Sequence, residues 1–492
     1  MMADGAPTSW VPGMADFRFK WRRFYDEARP WGENLPEISR GKHLIPVVLF
    51  VIALVATYFI LYYPPRYTLA LWVTLAGLVF IFKEPFWGIV IFYALAFIRP
   101  QDIFWGLKDL RLSLMVSGAT LLSWLWDRLK RSDWRIVMAS QNILILGLWG
   151  QMGLSHLFAL APMISEESLI DYSKIFILFF LTINIVKSFS LYRALCWVIV
   201  ASLGIMALRG VYQYGISGYP FINGPGGTIE DNNHFGLALV MAVPFAYYLI
   251  LVEKDWWKQL LAVIFALGMV IAIMATFSRG AFLGLILVLG GIFLRARKKL
   301  GLLLLGIIFG LGALAALPSE YYNEISSIKS YEEDVSSMYR LYAWRAGWEM
   351  IKEYPYTGIG LKHFEHITAQ YMKKFLPAGE KNMAAHNSYI HLAAEAGIPA
   401  LVFFLALLGF SLWGLKRIRE IAPRRSPLIY FSYMIELSFW GYIASGFFLS
   451  MEDFELAYLL MAMVVALKGI VINKHVLRIG PWKGRDEGYS WT

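Results

Sequence analysis

Apolar runs long enough to cross a bilayer recur along the chain, broken by short polar or glycine- and proline-rich joints. They fall near residues 44–63, 67–82, 85–98, 111–126, 137–159, 169–187, 190–208, 234–252, 259–277, 280–294, 299–317, 386–415, 427–449 and 456–473. The pattern predicts an all-α polytopic membrane protein with about 14 transmembrane helices, give or take two.

The joints carry opposite charge on alternate sides. With a cytoplasmic N-terminus, the inside joints include Asp127-Arg128-Leu129-Lys130-Arg131, Arg295-Ala296-Arg297-Lys298-Lys299, Lys416-Arg417-Ile418-Arg419, Arg424-Arg425 and the tail from Lys474. The outside joints include Ser165-Glu166-Glu167, the glycine-rich segment 210–233, the long segment 318–385 and Met451-Glu452-Asp453. Basic clusters inside and acidic ones outside satisfy the positive-inside rule, with both chain ends cytoplasmic. The expected organisation is an N-terminal extension (1–43), a transmembrane bundle (44–317), a helical outer loop domain (318–385), C-terminal membrane helices (386–473) and a cytoplasmic tail (474–492).

Composition agrees with this. Charged residues make up 16% of the chain and hydrophobic ones 58%, whereas a soluble domain carries about 25% charged residues. The net charge of +10 is a topology signal first, so nucleic acid is not an expected partner. Cys196 is the only cysteine, which excludes an intramolecular disulfide or a thiolate cluster. The extension before Lys42 interleaves Phe17, Phe19, Trp21 and Phe24 with Arg18, Lys20, Arg22 and Arg23, a pattern suited either to a membrane surface or to a disordered tail.

Two outer segments are unusual. Gly224-Pro225-Gly226-Gly227 leads into Asp231-Asn232-Asn233, residues that cap a following helix. The loop reads as a tight turn or as backbone able to approach a phosphate or sugar; it lacks the Lys-Ser/Thr ending of a nucleotide-binding loop. In the second segment, Leu341, Trp344, Trp348 and Ile351 form an amphipathic stripe, ended by a turn at Pro355-Tyr356-Thr357-Gly358-Ile359-Gly360.

Charges at membrane depth are functional candidates because they are expensive to place there. Arg279 and Arg209 both fall at the outer ends of apolar runs, where an arginine either snorkels to headgroups or binds an anion. Arg340 and Arg345 share the amphipathic helix but point roughly 140° apart, so one site would not use both directly. A guanidinium offers a planar fork of donors suited to a diphosphate and needs no metal to do so. No His/Asp/Glu set stands at metal-ligand spacing; Glu332-Glu333-Asp334 reads as a solvated turn. His386, at the junction between polar segment and apolar run, reads either as a helix-start residue bonding backbone or as a general base. Glu395 would lie on the opposite face from it and pairs better with His391, four residues before.

These segments resemble the O-antigen ligase/polymerase superfamily, and more narrowly the O-glycosylation ligases associated with exosortase systems. The matching stretches are Gly224–Asn233, Ser278-Arg279-Gly280, Ser330-Tyr331-Glu332-Glu333-Asp334, Arg340-Leu341-Tyr342-Ala343-Trp344 with Pro355…Gly358-Ile359-Gly360, and His386-Asn387-Ser388-Tyr389-Ile390 running to Glu395-Ala396-Gly397. The resemblance implies a GT-C-like enzyme of the bacterial inner membrane whose active site faces the periplasm. Its donor would be an undecaprenyl-diphosphate-linked glycan, transferred with inversion and without cofactor or metal to a lipid, glycan or protein acceptor. It implies His386 as general base and Arg279 and Arg340 as diphosphate ligands; Arg209, outside any matched motif, is a second-rank candidate. The alternatives are an O-antigen polymerase and, from another class, a transporter of lipid-linked glycan.

Overall fold

The computed structural model describes residues 65–103, 111–217, 221–296, 299, 335–375, 382–422 and 426–479. The expected spans at 44–63 and nearly all of 299–317 lie outside the described residues, as do the N-terminal extension, the Ser330–Asp334 motif and the end of the tail. The chain divides into two units, Met1–Trp72 and Val73–Thr492. Of the first, only the opening of one helix is described, so the architecture below is that of the second.

The described residues form helices and no strands. The first are α1 (Pro65–Lys83), α2 (Phe86–Ile98), the single turn α3 (Pro100–Ile103), α4 (Leu112–Arg131) and α5 (Ser140–Leu157). Then come α6 (Pro162–Ile185), α7 (Phe189–Ser217), α8 (Asn232–Val252), α9 (Trp256–Ala275) and α10 (Arg279–Arg295). The outer loop supplies α11 (Val335–Glu353) and α12 (Phe364–Met372), followed by α13 (Ser388–Ile421), α14 (Pro427–Gly446) and α15 (Glu455–Ile479). Each expected span within the described residues falls on a helix. Among the described residues seven stretches are long and apolar enough to cross a membrane, so the chain is a multi-pass membrane protein.

Local chemistry sets many of the starts. Asp231 accepts from the Asn233 amide at 2.8 Å, Ser278 from Ala281 and Ser426 from Leu428, each satisfying an amide that helix geometry leaves open. Two spans lie at the centre, 78% buried at α8 and along Glu455–Ile472 of α15, against 39% for α9 and α13. A helix apolar all round belongs in the middle of such a bundle. Outward-facing Ile143, Leu146 and Leu122 remain exposed, as lipid-facing positions should.

The charged joints separate to opposite ends. At one end Glu436 accepts from Arg295 at 3.0 Å and from Arg419 at 3.1 Å. At the other, Ile222 bonds Ala275, Leu160 bonds Ile359, and Ser388 donates to the Leu449 carbonyl at 2.7 Å. Helix α10 connects the two, from Arg279 to Arg295, a rise of about 25 Å. This second end, called the outer end below, gathers the segments that sequence assigned to one side.

Two expectations need correction. The outer segment expected from residue 210 begins later, because α7 continues to Ser217. The run 386–415 is not one continuous helix: Gly397 has φ 83° and ψ 166° and breaks α13. Its first segment packs against α11 and α12, and the membrane-spanning part follows Gly397 and Pro399.

The break frees carbonyls that lipid cannot satisfy, and the protein satisfies them. Ile359 N–H donates to the Ala394 carbonyl and Gly360 N–H to that of Glu395, both at 3.0 Å, while Ile398 N–H donates to Pro355. From α5, Ser155 reaches the Glu395 carbonyl and Gln151 that of Ala396 at 2.9 Å. A side chain at Gly397 would collide with the Tyr356 carbonyl. Gln151→Leu strips donors from two carbonyls, Ala396 and Tyr356, at a cost of about 1–3 kcal/mol for each one left buried without a partner. The expected result is a lower unfolding temperature in detergent; an unchanged one would mean the break is held without Gln151.

Candidate functional site at the outer end of the bundle

His386 stands one residue before the cap of α13. The capping residue is Asn387, whose Oδ1 accepts from the Tyr389 and Ile390 amides at 3.0 Å and whose Nδ2 donates to the Phe447 carbonyl at 3.2 Å. The helix-start reading of His386 therefore moves to Asn387. His386 itself takes a left-handed backbone, φ 47°, unfavourable for a side-chain-bearing residue and held here by its neighbours. Trp344 Nε1 donates to the Ala385 carbonyl at 2.8 Å, tying α11 to this loop. Among the described residues the His386 ring makes no hydrogen bond.

Burial lowers the His386 pKa, and the charges of Arg340 and then His234 add to it, to about 4. The imidazole is thus neutral, and able to accept a proton, throughout the physiological range. Arg340 is half-buried on α11, while Arg345 is exposed, in keeping with their predicted divergence. Arg279 begins α10, half-buried. Behind it Ser445 donates to the Gly280 carbonyl, and the segment running on from Ser445 holds Asn387 and Ser388. Arg279 and His386 therefore flank one short strip of backbone, residues 445–449.

Arg209 lies on α7, beside a residue that packs on Ile222 of the same end. It lies two turns inside α7, which runs on to Ser217, and among the described residues it makes no hydrogen bond or ion pair. Its neighbour Gly210 faces Ile222, and Leu208 faces Gly268 of α9.

The stripe expected on α11 is also rotated. Its buried face is Ala343, Ala346, Gly347, Met350 and Ile351, whereas Trp348 is 57% exposed. Small residues at i, i+3 and i+4 (Ala343, Ala346 and Gly347) let α11 approach α13 closely, and Ile390 occupies the space where a Gly347 side chain would stand. In the glycine-rich loop, the Arg99–Asp102 pair (2.6 Å) fills the space beside Gly226 and Gly227. That contact favours the turn reading over an open anion cradle.

Other residues of the outer end were missed in sequence. His234 follows directly on the capping run Asp231–Asn233, and its electrostatic neighbours include Asp231, Asp453 and Glu365. Burial pushes the Asp453 pKa up, opposed by Lys362, His234 and His391. The pairing expected between His391 and Glu395 is present, Nε2 to Oε1 at 3.1 Å, and Glu452 adds a second carboxylate, 3.1 Å from His391 Nδ1. All three residues are buried, and their ligating atoms lie within 4.8 Å of one another. The expectation that no such set exists is corrected here. Linear spacing could not reveal it, because Glu452 comes from the joint between α14 and α15.

A many-helix membrane scaffold with a neutral histidine and half-buried arginines at one end is the class of protein this geometry defines. The family model for O-antigen ligase matches residues 264–405, an interval that contains Arg279, Arg340 and His386 and leaves out Arg209 and Glu452. No curated protein matches the chain. The match supports the O-antigen ligase superfamily and, with it, a membrane enzyme of ligase or polymerase type that handles glycans.

Proposed function

We propose that the protein joins a glycan, carried on undecaprenyl diphosphate, to an acceptor hydroxyl at the periplasmic face of the bacterial inner membrane. In this reading the fold is GT-C-like with about 14 spans, and the chain is of the exosortase-associated ligase type. His386 takes the acceptor proton as its oxygen attacks the anomeric carbon from the face opposite the leaving diphosphate. Arg279 and Arg340 stabilise the charge that develops on that diphosphate, without a metal in the reaction, with Arg209 as a second-rank ligand. The observation that carries the reading is the juxtaposition of His386 with Arg340, inside the interval that matches O-antigen ligase.

A ligase, with a lipid core sugar or a protein hydroxyl as acceptor, is preferred to a polymerase, whose acceptor is a second lipid-linked glycan. The test is purified protein in detergent with lipid-linked repeat and each acceptor class. Acceptor-dependent product is expected; a ladder from donor alone would establish the polymerase instead. Transport without chemistry would give no new glycosidic bond at all.

The charge of Arg340 holds the His386 pKa down. Removing it raises that pKa toward the ordinary histidine value of about 6.5. The acid limb of kcat/KM in Arg340→Gln should therefore lie at higher pH than in wild type, with activity lost earlier as pH falls. Coincident acid limbs would detach Arg340 from His386.

A further inference from the structure

We propose that His391, Glu395 and Glu452 form a binding site for one divalent transition-metal ion, of the manganese or zinc type, which ties the outer domain to the membrane helices. The proposal is independent of the glycan-transfer reading.

Three observations carry it. The first is burial: His391, Glu395 and Glu452 are 7%, 6% and 6% exposed. Two carboxylates buried side by side are costly unless a proton on the imidazole or a bound cation compensates them. The second is the pattern of hydrogen bonds. Although carboxylate oxygens stand 3.1 Å from both ring nitrogens, among the described residues neither nitrogen has a well-aligned hydrogen-bond partner, and Glu452 Oε2 has none either. The oxygens pair with the ring by distance but lie off the N–H directions. Ligands sharing one ion at about 2.0–2.2 Å, roughly 90–110° apart, stand about 3.0–3.4 Å from each other and off the nitrogen lone-pair axis.

The third observation is the support around the set. Glu395 Oε2 accepts from Lys362 N–H at 2.8 Å and Oε1 from Phe364 N–H at 3.0 Å. The turn bearing Glu452 is fixed by Ser388 and by Tyr458, whose hydroxyl donates to the Glu452 carbonyl at 2.7 Å. The His391 ring lies edge-on to Phe364, with centroids 5.1 Å apart. With an ion on Nε2 beside Glu395 Oε1, the unpartnered Glu452 Oε2 would be the second carboxylate ligand, while Glu452 Oε1 stays beside Nδ1 as the outer-shell partner that metal-bound histidines usually have. One nitrogen with two carboxylates is a mixed donor set suited to manganese, iron or zinc rather than to calcium or a thiophilic ion.

The ligands join the first segment of α13, the turn before α12 and the joint between α14 and α15. A bound ion would therefore fix the platform next to His386 and take no part in the reaction.

The test uses the purified full-length protein, loaded with Mn²⁺ or Zn²⁺, desalted, and measured by elemental analysis and by thermal unfolding with and without a strong chelator. The expected result is about one equivalent of ion retained, an unfolding temperature lowered by chelation and restored by re-adding the ion, and loss of both effects in Glu452→Gln. Failure to retain either ion, with an unfolding temperature indifferent to chelator, would overturn the site and leave a proton shared among the three residues. Equal retention by wild type and by folded Glu452→Gln would overturn it as well, since the ion would then sit elsewhere. Should Glu452→Gln not fold, the wild-type retention and chelator measurements decide the matter alone.

Discussion

Replacing His386 by alanine is expected to remove glycan transfer while leaving the bundle folded. A positioned general base is worth about 10²–10⁴ in rate, and no second group stands ready to substitute. His234 faces the same region but follows the helix cap at Asp231, and Glu395 is engaged by His391 and two backbone amides. Folding should tolerate the change, because the helix start is held by Asn387 and not by His386. Histidine is enriched in the left-handed region, so alanine adds a modest strain there. Turnover, thermal unfolding and binding of the lipid-linked donor, measured on the same preparation, separate the possibilities. Retained turnover would remove His386 as the base; lost turnover together with lost folding would make the residue structural.

The second large effect concerns the arginines. Arg279→Ala and Arg340→Ala should each lower donor kcat/KM by roughly tenfold to a hundredfold, the worth of one charge-assisted hydrogen bond of about 1.5–3 kcal/mol. Arg345→Ala, on the exposed face of α11, should change it little, and Arg209→Ala should fall nearer to Arg345→Ala than to Arg279→Ala. Each variant keeps the acceptor constant while the donor is titrated, so that losses can be assigned to donor use. Equal losses in Arg279, Arg340 and Arg345 would mean a diffuse electrostatic field and not a site.

The sequence and the structure agree most where the signal is local. Apolar run length and cap residues depend on neighbours in the chain, so α8, α9, α10 and α14 start and stop close to where the pattern places them. Asp231 caps α8 as its residue type predicts. The break at Gly397 was hidden because Ile398–Leu415 is apolar without interruption; Gly397 and Pro399, two residues apart, were the available cue. Its stability depends on the 355–360 turn and on Gln151 and Ser155, none of which adjoins it in sequence.

The candidate site divides in the same way. The divergence of Arg340 and Arg345 and the His391–Glu395 contact follow from helical spacing. The capping role of Asn387 was legible too, since asparagine is a better cap than histidine. By contrast, Glu452 beside His391 and His234 beside His386 are products of tertiary packing. The start of the glycine-rich outer segment was misplaced because α7 runs on to Ser217, two turns beyond the point where its apolar character fades. Trp348 joined the expected stripe by its spacing from Leu341, Trp344 and Ile351, whereas the close packing of α11 on α13 puts Ala343, Ala346 and Gly347 on the buried face.

The most direct measurement is a density map of the protein with a polyprenyl diphosphate bound. The account predicts phosphate oxygens within hydrogen-bond reach of Arg279 and Arg340, with the His386 ring facing the carbon that would bear the glycan. A diphosphate held at the opposite end, near Arg295 and Arg419, or one at the outer end touching neither Arg279 nor Arg340, would contradict it.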